Sequence, residues 1–211
     1  MNFGINVFIK YAFEIQNMEP KFLIQSWEEA YDSCLFLYEQ IDRSGFYPDV
    51  IVGIARGGWI PARLLSDFFT NSFTANMKIE FYDKIGEKKQ RPEITQQIGI
   101  NIKGKKVLLV DDVADTGESL KVAIEHVNEL GASDVKTATI FYKPHSVVKP
   151  DYFVRVTNAW VVYAWERFEF IKEFAEKFKK EEKSLLELKD YLKQVGIPPG
   201  VVEAYFATRD Y

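Results

Sequence analysis

Asp111, Asp112 and Asp115 fall within one short stretch and are followed at once by Thr116, Gly117, Glu118 and Ser119. Adjacent carboxylates suit hydrogen bonds from vicinal hydroxyls, made directly or through a divalent cation that offsets their charge. The residues after them have small or hydroxylic side chains and an approachable backbone, which a phosphate requires at a helix N-terminus. A sugar phosphate satisfies both halves. A second group of this kind is Arg56-Gly57-Gly58, where two glycines beside an arginine expose backbone N–H groups to an anion. Alone, Arg-Gly-Gly is more often an ordinary turn, and its placement relative to the acidic loop is what gives it weight.

Both groups sit where strands are expected to end. Residues 107–110 are an apolar run too short for a helix and suited to a buried parallel strand, stopping at the acids. Leu120, Ala123, Ile124, Val127 and Leu130 then recur at helical spacing up to Gly131, so a helix begins at about Gly117. Residues 49–55 form a second buried strand, ending at Arg56 and followed by a helix over about 59–69. Upstream, Ser26 and Glu29 fit a capping box, and a helical pattern runs to Gly45 with Cys34 on its buried face, a core hydrophobe rather than a nucleophile. Residues 3–16 are apolar and partly alternating, which fits a strand or an ordered arm. Residues 77–82 and 135–142 read as further strands, and 151–156 and 160–162 as two short strands of a small lobe. The charged stretch 83–93, with Gly86 and Pro92, reads as a solvated hairpin loop. Beyond Phe168 three apolar stripes predict about three helices, and the charge run 177–183 is a solvated helix face.

At 211 residues and 47% hydrophobic, the chain can bury one α/β core and carry an appendage. A formal net charge of −4 argues against nonspecific affinity for nucleic acid or an anionic membrane, and favours a small metabolite held by local features. One cysteine, Cys34, allows no internal disulfide, and no His/Cys cluster offers a zinc site. No segment has the apolar length of a membrane span, and the first residues lack a secretory pattern, so a cytoplasmic location is expected.

The stretch 107–119 resembles the signature loop of type I phosphoribosyltransferases, which bind 5-phosphoribosyl-1-pyrophosphate (PRPP); the resemblance covers about residues 25–166. It implies an α/β fold with a mostly parallel sheet of about five strands flanked by helices and a small base-binding lobe, within residues 1–166. A C-terminal helical extension follows over 167–211. By the same resemblance Asp111 and Asp112 hold the ribose hydroxyls, and through these or water they meet Mg²⁺. The 5′-phosphate falls to Ala114, Asp115, Thr116, Gly117, Glu118 and Ser119. Ala55, Arg56 and Gly57 form the pyrophosphate loop, whose peptide before the arginine is often cis in the family, and Lys172 is placed within reach of pyrophosphate. Tyr82 and Asp83 open the flexible loop that closes over the site; Phe81-Tyr82 stands where related purine enzymes often carry a serine-tyrosine pair.

For the base, the resemblance places Lys143 at the end of its strand as a donor to a purine O6. Trp160 becomes the stacking aromatic, with Val161 offering backbone hydrogen bonds and Glu166 near the base edge or the metal; plain core packing competes for Trp160. Asp115 is the candidate to accept the N7 proton as N9 attacks the sugar. The long helical tail is similar to that of crenarchaeal-type adenine phosphoribosyltransferases and places adenine slightly ahead. Lys143 argues the other way, for a 6-oxopurine, because it would oppose two donors at an adenine amino group. If adenine is the base, Lys143 should turn toward phosphate or an acid. The implied partners are PRPP, a purine base and a second subunit in a homodimer. A regulator of this fold that senses PRPP without catalysis is the alternative of a different class.

Overall fold

Residues 22–82 and 91–207 are described by the structure, a computed structural model; the expectations for residues 3–16, and for Asp83 and the rest of 83–90, lie outside them. The described residues divide into two compact units, one within 28–157 and one in which residues 22–27 join 158–207.

In the larger unit the strands are β2 (Val50–Ala55), β3 (Phe73–Tyr82), β4 (Arg91–Gln96), β5 (Lys106–Ala114), β6 (Asp134–Tyr142) and β7 (Tyr152–Val156). They form one sheet in the order β4-β3-β2-β5-β6-β7, parallel except for β4, which runs antiparallel to β3. Every residue of β2 is buried, as a parallel strand covered on both faces requires. Helix α1 (Trp27–Arg43) buries Ala30, Cys34, Leu37 and Ile41, a spacing that keeps one stripe on the core. Helix α2 (Trp59–Phe68) follows β2 and packs on β2, β3 and β5. Helix α3 (Glu118–Glu129) follows β5 and buries Leu120, Ala123 and Val127 against a cluster containing Val50, Val52, Val107 and Leu109.

The smaller unit pairs β1 (Phe22–Ile24) in parallel with β8 (Trp160–Val162), in register Phe22 to Trp160 and Ile24 to Val162. Its three helices are α4 (Arg167–Lys180), α5 (Leu185–Val195) and α6 (Pro199–Phe206), as the apolar stripes predict. Phe170, Phe174, Phe178, Leu188, Leu192, Val202 and Tyr205 form their shared core. A capping box of Ser184 and Glu187 starts α5, and a proline in its first turn starts α6.

Three expectations change. The stretch read as a solvated loop from 83 to 93 contains the start of β4, an edge strand in which Pro92 is tolerated because one side of the strand has no partner. Residues 151–156 do not form part of a small lobe; as β7 they close the opposite edge of the main sheet beside β6. Residues 158–166, expected with the core, cluster with the C-terminal helices because β8 finds its partner in β1. Among the described residues no helix is long and apolar enough to cross a membrane.

Candidate active site

Strand β2 is paired with β5 only from Val50 opposite Val107 to Gly53 opposite Val110. Beyond that point β5 stays with β6, out to Ala114 opposite Tyr142. The chain leaves β2 for β3 on one side of this seam and leaves β5 for β6 on the other. A parallel sheet whose strand order reverses in this way opens a crevice at the carboxyl ends of the two strands, where ligands bind in such folds. The Arg56 loop and the acidic loop are the two chain segments that leave from it.

Asp111 and Asp112 do not stand in a loop, as the sequence suggests, but at the end of β5, because its pairing with β6 continues past the apolar run; Asp115 is the first residue beyond the strand. Successive strand residues point to opposite faces, so Asp111 and Asp112 diverge rather than act as one pair. Asp112 is 7% exposed, and Asp111 is half-buried and accepts the Asp112 N–H through Oδ1 at 3.0 Å. The Arg56 loop meets the buried acid. The Ala55–Arg56 peptide is cis, Arg56 is exposed, and a Cβ added at Gly57 would fall on the Asp112 carboxylate. Only glycine lets this backbone lie against that acid, which keeps the loop's N–H groups and Asp112 at one place.

Gly117 caps α3 with φ 78° and ψ 0°, a left-handed conformation that glycine adopts without strain. The loop after β6 braces this turn. Val147 N–H donates to the Thr116 carbonyl at 2.8 Å, Lys143 N–H to the Ala114 carbonyl at 3.0 Å, and a Cβ at Gly117 would strike Ser146 Oγ. Glu118 and Ser119 open the helix, with their N–H groups in the first turn, where donors have no intrahelical partner.

The same loop supplies both partners of Asp115. Lys143 Nζ donates to Oδ2 at 2.8 Å, and His145 Nε2 lies 3.1 Å from Oδ1. Asp115 is half exposed, whereas the Lys143 side chain is 14% exposed. His145 was not singled out from the sequence. The signal available was its place two residues past Lys143, at the carboxyl end of the strand next to β5.

The remaining candidates, Tyr82 of β3 excepted, belong to the smaller unit. Trp160 is 42% exposed, its ring 6.1 Å from that of Phe22 and 5.9 Å from that of Phe170, so part of it packs as core and part is open. Val161 is buried and pairs with Leu23. Glu166 accepts the Tyr163 N–H through Oε1 at 3.2 Å and stands at the N-cap of α4. Lys172 is an exposed residue of α4, 3.9 Å from Glu176 one turn on. Tyr82 ends β3. Among the described residues no three His, Cys, Asp or Glu side chains converge into a metal cage.

A family model described as phosphoribosyl transferase domain matches residues 24–176. The chain is 27% identical over 188 residues to a hypoxanthine-guanine phosphoribosyltransferase of Schizosaccharomyces pombe, covering 71% of this chain and 91% of that one. A crystal structure of a purine phosphoribosyltransferase from Pyrococcus horikoshii is 38% identical, covers 69% of this chain and 94% of its own, and superposes with a TM-score of 0.64. A transcriptional regulator, GfcR, of Methanococcoides burtonii is 26% identical over 110 residues, about half of each chain.

Proposed function

Because the chain belongs to the phosphoribosyl transferase domain family, we propose that it joins the 5-phosphoribosyl group of PRPP to N9 of a 6-oxopurine in purine salvage. The products are the nucleoside 5′-monophosphate and pyrophosphate. The observation that carries the choice of base is the set of hypoxanthine-guanine phosphoribosyltransferases among the relatives; the Lys143 ammonium held on Asp115 is the turn toward an acid expected with adenine, yet it also fits an oxopurine. Pairing with an acid does not turn the lysine away from a base when that acid is itself the one that faces the base. One Lys143 N–H is used on Asp115, and the others remain for an acceptor, which hypoxanthine, guanine and xanthine offer at C6 and adenine does not. The hypoxanthine-guanine enzymes among the relatives support the same choice over the adenine reading that the helical tail favours.

In this reading the N–H groups in the first turn of α3, where the Glu118 N–H donates to Thr116 Oγ1 at 3.4 Å until a ligand takes its place, bind the 5′-phosphate with Thr116 and Ser119, and Arg56 with the Gly57 amide neutralises the leaving pyrophosphate. Asp111, the more open acid, binds the ribose hydroxyls directly, and the buried Asp112 reaches them through water. Two hard oxygen donors without a third are too few to cage a cation alone. They suit Mg²⁺, which keeps waters and takes ligands from phosphates, and which when bound supplies charge neutralisation at the pyrophosphate. As the N9–C1′ bond forms and the C1′–oxygen bond to pyrophosphate breaks, Asp115 accepts the N7 proton.

Initial rates of pyrophosphate release from PRPP with adenine, hypoxanthine, guanine and xanthine offered separately test the reading. Turnover of one or more oxopurines at rates about a hundredfold above adenine is the expected result, a ratio that an opposed pair of buried donors commonly produces. Turnover of adenine alone would overturn the choice of base and restore the tail-based reading. PRPP binding without turnover of any purine would favour a regulator instead, a reading supported by the partial likeness to the archaeal GfcR.

A further inference from the structure

We propose that His145 is a positioning residue for Asp115: its imidazole fixes the carboxylate that takes the purine proton by holding one oxygen while Lys143 holds the other. The inference rests on the phosphoribosyl-transfer reading and adds to it a residue outside the acidic loop and the arginine loop.

Geometry carries the argument. A carboxylate held by one donor still turns about its last bond. Here two donors take different oxygens, Lys143 on Oδ2 and His145 on Oδ1, and both come from one short segment. That segment is itself anchored to the acidic loop by the Lys143 and Val147 N–H groups and is closed on itself by Ser146 N–H to the Lys143 carbonyl at 2.9 Å. His145 is therefore delivered by backbone already fixed to Asp115's neighbours. With one lone pair of each oxygen used, the carboxylate keeps two for a substrate proton.

His145→Ala and His145→Gln test this, the glutamine keeping an N–H donor without the ionisation. With an oxopurine substrate, His145→Ala should lower kcat about tenfold, less than the roughly hundredfold or more that loss of the base itself costs, while KM for PRPP stays within about twofold. His145→Gln should recover kcat to within about threefold of the parent. Parent-like kcat in His145→Ala, or a failure of His145→Gln to recover kcat, overturns the proposal. A second measurement does not depend on turnover. The chain has two histidines, His126 and His145, so the imidazole signals are assignable by NMR, and at one fixed pH Asp115→Asn should move the ring resonances of His145 and leave those of His126 in place. No shift at His145 overturns the coupling. If the parent turns over no purine, the transfer reading falls, and the NMR experiment still decides whether the two side chains act on each other.

Discussion

Asp115 is the residue on which the proposed chemistry converges; it is held at both oxygens by the loop after β6 and yet stays half exposed. Its replacement by asparagine keeps size and hydrogen bonding to Lys143 but removes the proton acceptor. Asp115→Asn should therefore bind PRPP with the parent's affinity, measured by calorimetry, and lose roughly a hundredfold to ten-thousandfold in kcat. A variant with near-normal turnover would remove Asp115 from the mechanism. At this scale the sequence is most readable where side chains declare chemistry by type and order. The acids, Thr116 to Ser119 and the Arg56 loop are of this kind, and the structure brings Gly57 onto Asp112 from a distant part of the chain. His145 escaped notice because a lone histidine in a polar loop has no local signature, and its partner lies 30 positions away. Glu166 shows the opposite case: a carboxylate placed by resemblance near the base edge is engaged with the Tyr163 N–H at a helix start.

The elements that carry these residues are legible where apolar period and length agree, and blurred where a strand runs on into polar residues. Val107 to Val110 announces β5, but the strand extends to Ala114 because β6 continues to pair with it, a tertiary fact that no local preference encodes. The same holds for β4, whose Pro92 and charges read as loop, and for β7, which is too short to reveal which sheet it joins. Helix α1 is the clear case, and its buried stripe gives a prediction. Cys34 is wholly buried, and burial pushes its thiol from 9.0 up to about 12. The unfolded chain then releases this proton above pH 9 while the folded chain keeps it. This contribution to stability is whole below pH 9 and is lost as pH rises toward about 12. At pH 10.5 the loss amounts to about 2 kcal/mol. Urea unfolding of the parent and of Cys34→Ala at pH 8 and 10.5 checks it. The parent should lose about that much more between the two conditions than the alanine variant does, and equal losses would show that the thiol keeps its ordinary titration in the fold.

At the scale of the whole molecule, the smaller unit is built from both ends of the chain, and this decides where it gives way. Among the described residues strand β8 has one partner, β1, so their pairing lasts only while residues 22–24 are delivered to it from the far end of the sequence. Phe22 joins that strand to the helices, its ring edge-on to Phe170 at 5.3 Å and to Phe174 at 5.6 Å. The helices add mutual contacts through Phe174 with Tyr191 and Phe178 with Tyr191, but their shared core is small. Units with few buried apolar contacts open at lower free energy than a six-stranded sheet covered by helices. Phe22 is half-buried, so truncating it should cost about 2 kcal/mol, below the range for a fully buried phenylalanine. The cost falls on the opening of this unit. Opening governs proteolysis when reclosing is fast, so Phe22→Ala should raise the rate of tryptic cleavage within residues 177–183 roughly thirtyfold. Cleavage at the lysines of the larger unit, such as Lys105 and Lys136, should stay at the parent's rate, with fragments followed by mass spectrometry. Uniform acceleration across the chain would mean that the two units open together and that the strand shared between the chain's ends is a support for the whole fold.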